Sequence, residues 1–231
     1  MTNTAIERLL DHLPSRIDSV LDQITVEREN RHLKEDGSYV TQGDLRMQDL
    51  VITELNAALP GVHVVSEELK SSEVPVSDKA TIAVVDPIDG TENFTSGLPE
   101  WGVSIAIYVD GTHAGSLLGC PQMGLWLRSG QILHRFQSRI HGLSSSLSMD
   151  ELIRATEGYE YRILGCCVYN MINVIRGSFC SFENPKGANS WDILAGLNLA
   201  LEHGLNVTVE GKEYAGKYLP ADQKYRFKIW Q

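Results

Sequence analysis

The stretch VVDPIDGTENF, residues 84–94, constrains the fold more than any other part of the chain. The β-branched apolar run ATIAVVD (80–86) reads as a buried strand. It runs straight into Pro87, Ile88, Asp89 and Gly90, the residue types of a tight turn. A second β-rich run, VHVVSEE (62–68), also delivers acid at its C-terminal end, as Glu67 and Glu68. Carboxylates at strand ends are ligands for hard cations, and Mg2+ takes oxygen donors while keeping waters and binding substrate phosphate.

Around these strands the pattern is mixed. Ile17, Val20, Leu21 and Ile24 recur at helical spacing and predict a helix over 15–30 with Pro14 in its first turn. Met47, Val51, Leu55 and Ala58 predict a second helix, stopped by Pro60-Gly61. GVSIAIYVDG (102–111), HAGSLLGC (113–120) and GLWLRSG (124–130) alternate with glycine-containing turns and predict an antiparallel meander. The polar, serine-rich HGLSSSLSMDEL (141–152) reads as a loop, or as a junction between two lobes of one domain covering 1–231. Beyond it come a helix in YNMINVIRG (169–177), a short strand in SFCSFE (178–183) and a helix from about Ser190 to His203 that ends at Gly204. Strands and helices interleave without the strict βαβ rhythm of a doubly wound fold. The expected class is layered α/β (α+β) with a mixed sheet.

Charge and composition exclude several functions. A net charge of -10 argues against nucleic acid or an anionic membrane as partner, because both reward basic patches. No run approaches the roughly 18 apolar residues of a membrane span. MTNTAIERLLDHL lacks the pattern of a secretory signal, so the cytoplasm is the expected compartment. Cys120, Cys166, Cys167 and Cys180 have no C-x-x-C spacing and are expected as buried thiols.

Asp86 and Asp89 straddle a Pro-Ile turn, so both side chains can converge on one point with the Ile88 carbonyl between them. Gly90 permits close approach, and Thr91 opens a helix whose free N–H groups would face a phosphate. Asp192 stands in the first turn of a helix beside Trp191, and Asp44 follows Thr41 by three residues. Each acid has an ordinary explanation alone. DPIDG is a turn, Glu67 and Glu68 a solvated loop, Asp192 a dipole-complementing acid and Asp44 part of a capping box. None of these explains the set.

KEDGSYVTQGD (34–44), SEE (66–68), DPIDGTENF (86–94) and WDILAG (191–196), in that order, resemble the inositol monophosphatase family of Mg2+-dependent, lithium-sensitive phosphomonoesterases. The resemblance implies a layered αβαβα sandwich of the inositol monophosphatase/fructose-1,6-bisphosphatase type, a homodimer, and two or three Mg2+ per site. The implied substrate is a small phosphorylated metabolite: an inositol, sugar, nucleotide or amino-alcohol phosphate. By the same resemblance Glu67, Asp86, the Ile88 carbonyl, Asp89 and Asp192 are metal ligands. Thr91 and Asp44 orient the attacking water, Glu67 also receives a proton, and the amides of Gly90 and Thr91 meet the phosphate. Lys34 offsets surplus acid, Glu68 is accessory, and Lys186 is placed to meet a second anionic group. The chain departs from the family at Gly165-Cys166, where Gly-Ser is common, and at Pro185, where inositol-specific members carry an acid.

A phosphate monoester is dianionic near neutral pH and would be repelled by five carboxylates unless cations came first. Two Mg2+ ions about 4 Å apart can make a bound water more acidic and stabilise the leaving alkoxide. One alternative is an aspartyl-phosphate phosphatase of the haloacid dehalogenase type, whose D-x-D-G-T motif begins with a nucleophilic Asp. Here Pro87 holds that place. A catalytically silent binding or regulatory protein of the same fold is the other, and it leaves the converging carboxylates without employment.

Overall fold

The computed structural model describes residues 2–35, 37–69, 80–155 and 160–231. The chain opens with α1 (Thr2–Asp18) and α2 (Leu21–Val26), and a hairpin of β1 (Arg31–Leu33) and β2 (Tyr39–Thr41) leads into α3 (Gln42–Ala58). Next come β3 (His63–Ser66), β4 (Thr81–Asp89), the short α4 (Thr91–Thr95), β5 (Gly102–Val109), β6 (Thr112–Cys120) and β7 (Leu125–Arg128). These five strands pair in chain order, β3 with β4 parallel and the rest as the expected antiparallel meander. The remainder supplies β8 (Ile140–Leu143), α5 (Met149–Ala155), β9 (Glu160–Ile163), α6 (Cys167–Ile175), β10 (Ser181–Ala188), α7 (Ser190–Glu202), β11 (Asn206–Val209), β12 (Lys212–Glu213) and β13 (Tyr225–Trp230). Their six strands lie in the order β12-β11-β13-β10-β8-β9.

Strand periodicity sets the layers. Alternate residues of β4 face opposite ways, so Ala83 and Val85 pack against Leu10, Leu13 and Ile17 of α1 and Met47, Val51 and Leu55 of α3. Ile82 and Val84 instead meet the core of α6 and α7, which covers Phe182, Phe227 and Ile229 of the six-stranded sheet. Strands β8, β9 and β10 are mutually parallel. The steps β8-α5-β9 and β9-α6-β10 cross the sheet in opposite directions, so right-handed crossovers put α5 and α6 on opposite faces. The order is α, β, α, β, α, the expected sandwich. Among the described residues no helix is long and apolar enough to cross a membrane.

Several expectations are corrected. The first helix does not start at Ser15; it runs from Thr2 with Pro14 inside it. Ile6, Leu9, Leu10, Leu13 and Ile17 form one buried stripe straight through the proline. That burial outweighs the roughly 3 kcal/mol that a mid-helix proline costs. The break falls at Val20, whose backbone leaves the helical region before α2. The serine-rich stretch at 141–152 is not all loop: it holds the end of β8 and the start of α5. The strand expected in SFCSFE continues through Pro185 to Ala188, with a register shift between Asn184 and Ala188. All four cysteines are free, but Cys167 and Cys180 are only half-buried.

One irregularity positions the site. Asp86 and Asp89 are an odd number of residues apart, so a regular strand would send them to opposite faces. The β4–β5 register instead pairs Asp86 with Ser104 and Asp89 with Gly102, one extra residue on β4. This bulge, at the proline that cannot donate to a ladder, turns both carboxylates toward α6 and α7. Gly102 completes the arrangement, since a Cβ there would lie 2.4 Å from Val168 Cγ1 and push α6 away.

Candidate active site

Three elements deliver carboxylates to one point. Ligand oxygens of Glu67 after β3, Asp86 in β4 and Asp192 in α7 all lie within 4.8 Å of one another. Asp86 is 1% exposed, and its Oδ1 accepts the Ile88 N–H at 3.1 Å. Its Oδ2 is buried with no hydrogen-bond partner. A buried carboxylate oxygen left unpaired beside two further carboxylates is costly, and a hard cation relieves that cost. The all-oxygen donor set fits Mg2+.

Asp89 stands beside this trio. Its Oδ2 accepts the Val168 N–H at 2.5 Å and the Cys166 thiol at 2.9 Å, so the first turn of α6 holds it. Cys166 is the N-cap of α6, its sulfur accepting from the Tyr169 N–H at 3.2 Å. The thiol in place of the serine thus caps the helix and orients Asp89 together. Asp192 is held in turn by the helix it begins, its Oδ2 accepting the Asn189 N–H at 2.8 Å. Lys34 Nζ pairs with Glu67 Oε1 at 2.9 Å and Glu68 Oε1 at 2.5 Å.

Asp44 does form the capping box that was its ordinary explanation, its Oδ2 accepting the Thr41 N–H at 2.8 Å and the Thr41 hydroxyl at 2.5 Å. That leaves Oδ1, which lies 3.5 Å from Thr91 Oγ1, while the Ile88 carbonyl accepts from the same hydroxyl at 3.1 Å. Gly90 precedes α4 with φ at +82°, and a Cβ there would meet Cys166 Cβ at 3.0 Å. Only glycine suits both the conformation and the contact.

Burial dominates the electrostatics. It pushes Asp44 up to about 6 against its bonds to Thr41. It pushes Asp89 up to about 6 against its bonds to Cys166 and Val168, and Asp192 up to about 7 with help from the charges of Asp89 and Glu67. Asp86 is raised well above the usual carboxylate range, by burial and then by Glu67 and Asp192. Glu68 rises to about 6, burial outweighing Lys34. Burial opposes the charge on Lys34, yet Glu67 and Glu68 together hold it above its ordinary value.

The linkage has a definite sign. Unfolded, the aspartates titrate near 3.8, but folded they keep protons to about 6 and 7. The folded state therefore binds more protons across that window, and stability present at its acid end is lost as pH rises. In EDTA the melting temperature is expected to fall between about pH 5 and about pH 7.5, and saturating Mg2+ to reduce the fall. Scanning calorimetry with and without the metal checks this, and a metal-free melting temperature that rose over the window would contradict the crowding.

Beside Asp89 and Asp192 opens a cavity of about 190 Å³, walled by Ser144, Asn170, Asn184 and Lys224 among others. Lys186, the basic residue expected there, is exposed in the irregular part of β10, and its N–H donates to Asn184 Oδ1 at 3.1 Å. The lysine in the wall is Lys224, just before β13. Sequence reading missed Lys224, Asn170 and the capping role of Cys166. The one available signal was the departure at Cys166 itself.

Comparisons with known proteins bear on the family and on the fold. The sequence profile of the Inositol monophosphatase family matches residues 2–138, more than half of the chain. An inositol-1-monophosphatase of Mesorhizobium japonicum is 28% identical over 195 residues, covering 74% of this chain and 72% of the relative. A fructose-1,6-bisphosphatase/inositol-1-monophosphatase of Thermotoga maritima is 28% identical over 194 residues, covering 75% and 73%. The crystal structure of an IMPase/NADP phosphatase complexed with Mg2+ and phosphate superposes with a TM-score of 0.83 over 100% of this chain and 92% of that one, at 20% identity.

Proposed function

Because the chain belongs to the inositol monophosphatase family, whose members are metal-dependent phosphomonoesterases, we propose that it hydrolyses a small phosphorylated metabolite with Mg2+ by direct attack of water on phosphorus. The observation that carries this reading is the convergence of carboxylate oxygens from Glu67, Asp86 and Asp192 within 4.8 Å of one another, where the buried Asp86 Oδ2 has no donor.

Glu67, Asp86 and Asp192, with Asp89 and the Ile88 carbonyl beside them, are the residues that would hold the metal. When bound, Mg2+ supplies Lewis acidity toward water and toward the leaving oxygen. The chain's own groups do the rest. Thr91 Oγ1 directs its one proton toward the Ile88 carbonyl or Asp44 Oδ1 and so orders a lone pair toward a water on its open side, placed to accept that water's proton. Asp44 fixes that order, because Thr41 already occupies its other oxygen. Glu67, paired to Lys34, is the carboxylate placed to take a proton. Gly90 allows the backbone to approach the phosphate. Direct attack is favoured over an aspartyl phosphate because Asp86 is buried and Asp89 is tied to α6.

The test is phosphate release from a panel of inositol, sugar, nucleotide and amino-alcohol phosphates. Release in Mg2+ that is lost in excess EDTA is expected for at least one of them. A zero across the panel would sink the enzymatic reading and favour a silent binding protein. Acid quench with labelled substrate, followed by mass spectrometry of peptide 84–94, is expected to find no phosphate; label on Asp86 or Asp89 would restore the aspartyl-phosphate alternative.

A further inference from the structure

A second group of reactive side chains lies outside the cavity. Phe182 of β10 faces the core of α6 and α7, so Ser181 beside it faces the other side of the six-stranded sheet. Its register partner is His141 of β8, and the next partner of His141 is Tyr161 of β9, so the three share one row. Cys180 stands just before β10, and its Sγ turns onto that row, 3.3 Å from His141 Nε2 and 3.2 Å from the Ile140 carbonyl oxygen. The other ring nitrogen, Nδ1, lies 2.7 Å from Ser181 Oγ, and the ring is tilted 32° to that of Tyr161 at 5.4 Å. A thiol within reach of an imidazole whose second nitrogen is held by a third group is the arrangement that activates a cysteine nucleophile. With Nδ1–H donating to Ser181 Oγ, Nε2 is the nitrogen that accepts the thiol proton.

The surroundings favour this thiol over the other three. Burial, and then the charge of Lys228 on β13, lower the affinity of the His141 ring for a proton, so the ring is neutral and able to accept one near pH 7. Lys228 is itself paired with Glu183 of β10 at 3.1 Å. Reactive cysteines combine partial exposure with an activating neighbour, and Cys180 is only half-buried with the imidazole at its sulfur. Cys120 and Cys166 are buried. Burial pushes the thiols of Cys166 and Cys167 up, and the charge of Asp89 adds to it in both.

We propose that Cys180 and His141 form a nucleophile–base pair that takes up a mixed disulfide from a small-molecule disulfide, a modification site separate from the metal cluster. His141 Nε2 takes the thiol proton as Cys180 Sγ attacks one sulfur of the reagent. A new S–S bond forms, the S–S bond of the reagent breaks, and its other half leaves as a thiolate that recovers the proton from His141. Cys180 is oxidised and the reagent reduced by the same two electrons, so no further oxidant enters. The inference does not depend on the phosphomonoesterase reading.

The test exposes the full chain to glutathione disulfide, and to an aromatic disulfide whose departing thiolate is coloured, and locates the adduct by mass spectrometry of peptides. One rapid equivalent on Cys180 is expected. His141→Gln, whose amide takes no proton, is expected to react about tenfold more slowly than wild type at about pH 6.5 and at nearly the same rate at about pH 9, where an unassisted thiol is ionised. A ring with only a packing role would change the rate by the same factor at both pH values, and that result overturns the inference. Cys180→Ser is expected to abolish the rapid adduct and to leave the Mg2+-induced rise in melting temperature unchanged. A first adduct on Cys167 or no rapid adduct at all also overturns it. Should His141→Gln fail to fold, the wild-type profile decides alone: a rate nearly level from about pH 6.5 to 8 supports the pair, and one that climbs about tenfold per pH unit, as for an unassisted thiol, overturns it.

Discussion

Thr91→Ala is expected to lower kcat by about 10²- to 10⁴-fold, the range for losing a positioned proton transfer, while the Mg2+-induced rise in melting temperature stays near its wild-type size. The reasoning is geometric: the Thr91 hydroxyl sits between the Ile88 carbonyl and Asp44 Oδ1 and not within the Glu67, Asp86 and Asp192 trio. Thr91→Ser keeps the hydroxyl and should restore most of the rate, which a merely structural role for the methyl group would not allow. Asp44→Asn is expected to lower kcat to a similar degree. Its amide oxygen can still accept from Thr41, so the cap survives, but an N–H then faces Thr91 and reverses the polarity of that hydrogen bond. The double variant should cost little more than either single one, since both act on one water. Stopped assays at saturating substrate measure all three, and additive losses would separate Thr91 from Asp44.

Asp86→Asn should produce the opposite signs in stability and activity. Without metal, the new amide N–H donates to the carboxylate of Glu67 or Asp192 at every pH, a bond that Asp86 makes to Asp192 only while it keeps its proton. Satisfying a buried polar group is worth about 1–3 kcal/mol, which for a chain of this size raises the melting temperature by several degrees. One ligand charge disappears at the same time, so the additional stabilisation by Mg2+ should largely vanish and turnover should fall by at least about 10³-fold, the order of several kcal/mol of lost transition-state binding. Calorimetry in EDTA and in Mg2+ gives both numbers. A variant that melted lower than wild type in EDTA, or kept the full Mg2+ shift, would remove Asp86 from the centre of the site.

The acids were legible in the sequence partly from one local turn and partly from the resemblance to a known family. Asp86, Asp89 and Gly90 are written in one turn, whereas the roles of Glu67, Asp44 and Asp192 are implied only by the resemblance of the short segments that carry them. What could not be read was how an odd spacing becomes a shared face, since the bulge between Asp86 and Asp89 depends on pairing with Ser104 and Gly102. Likewise α1 ignores Pro14, because tertiary burial of Ile6, Leu10 and Ile17 decides what local preference only biases. The cavity wall was hidden for a related reason. Lys224 and Asn184 meet only because β10 pairs with β13, and Asn170 joins them from α6, three separate segments with no motif between them. Lys186 was chosen because it adjoins Pro185, where inositol-specific members carry an acid, but the lysine that lines the cavity is Lys224.

Several of the acids are employed twice, and this bears on descent. Asp44 spends one oxygen on the Thr41 N–H at the head of α3, and Asp192 spends one on the Asn189 N–H at the head of α7. A lineage that had given up catalysis would still lose about 1 kcal/mol for each helix start it damaged, so drift would tend to leave both acids in place. Asp86 also spends one oxygen on a backbone N–H, that of Ile88, though not at a helix start; its other oxygen, while ionised, is a standing cost in the absence of metal, so an asparagine there keeps the bond and relieves the fold. Among copies of this sandwich that have retired from chemistry, decay is therefore expected to begin at the position of Asp86, and a survey that scored only the acids at 44 and 192 would mistake pensioners for working enzymes.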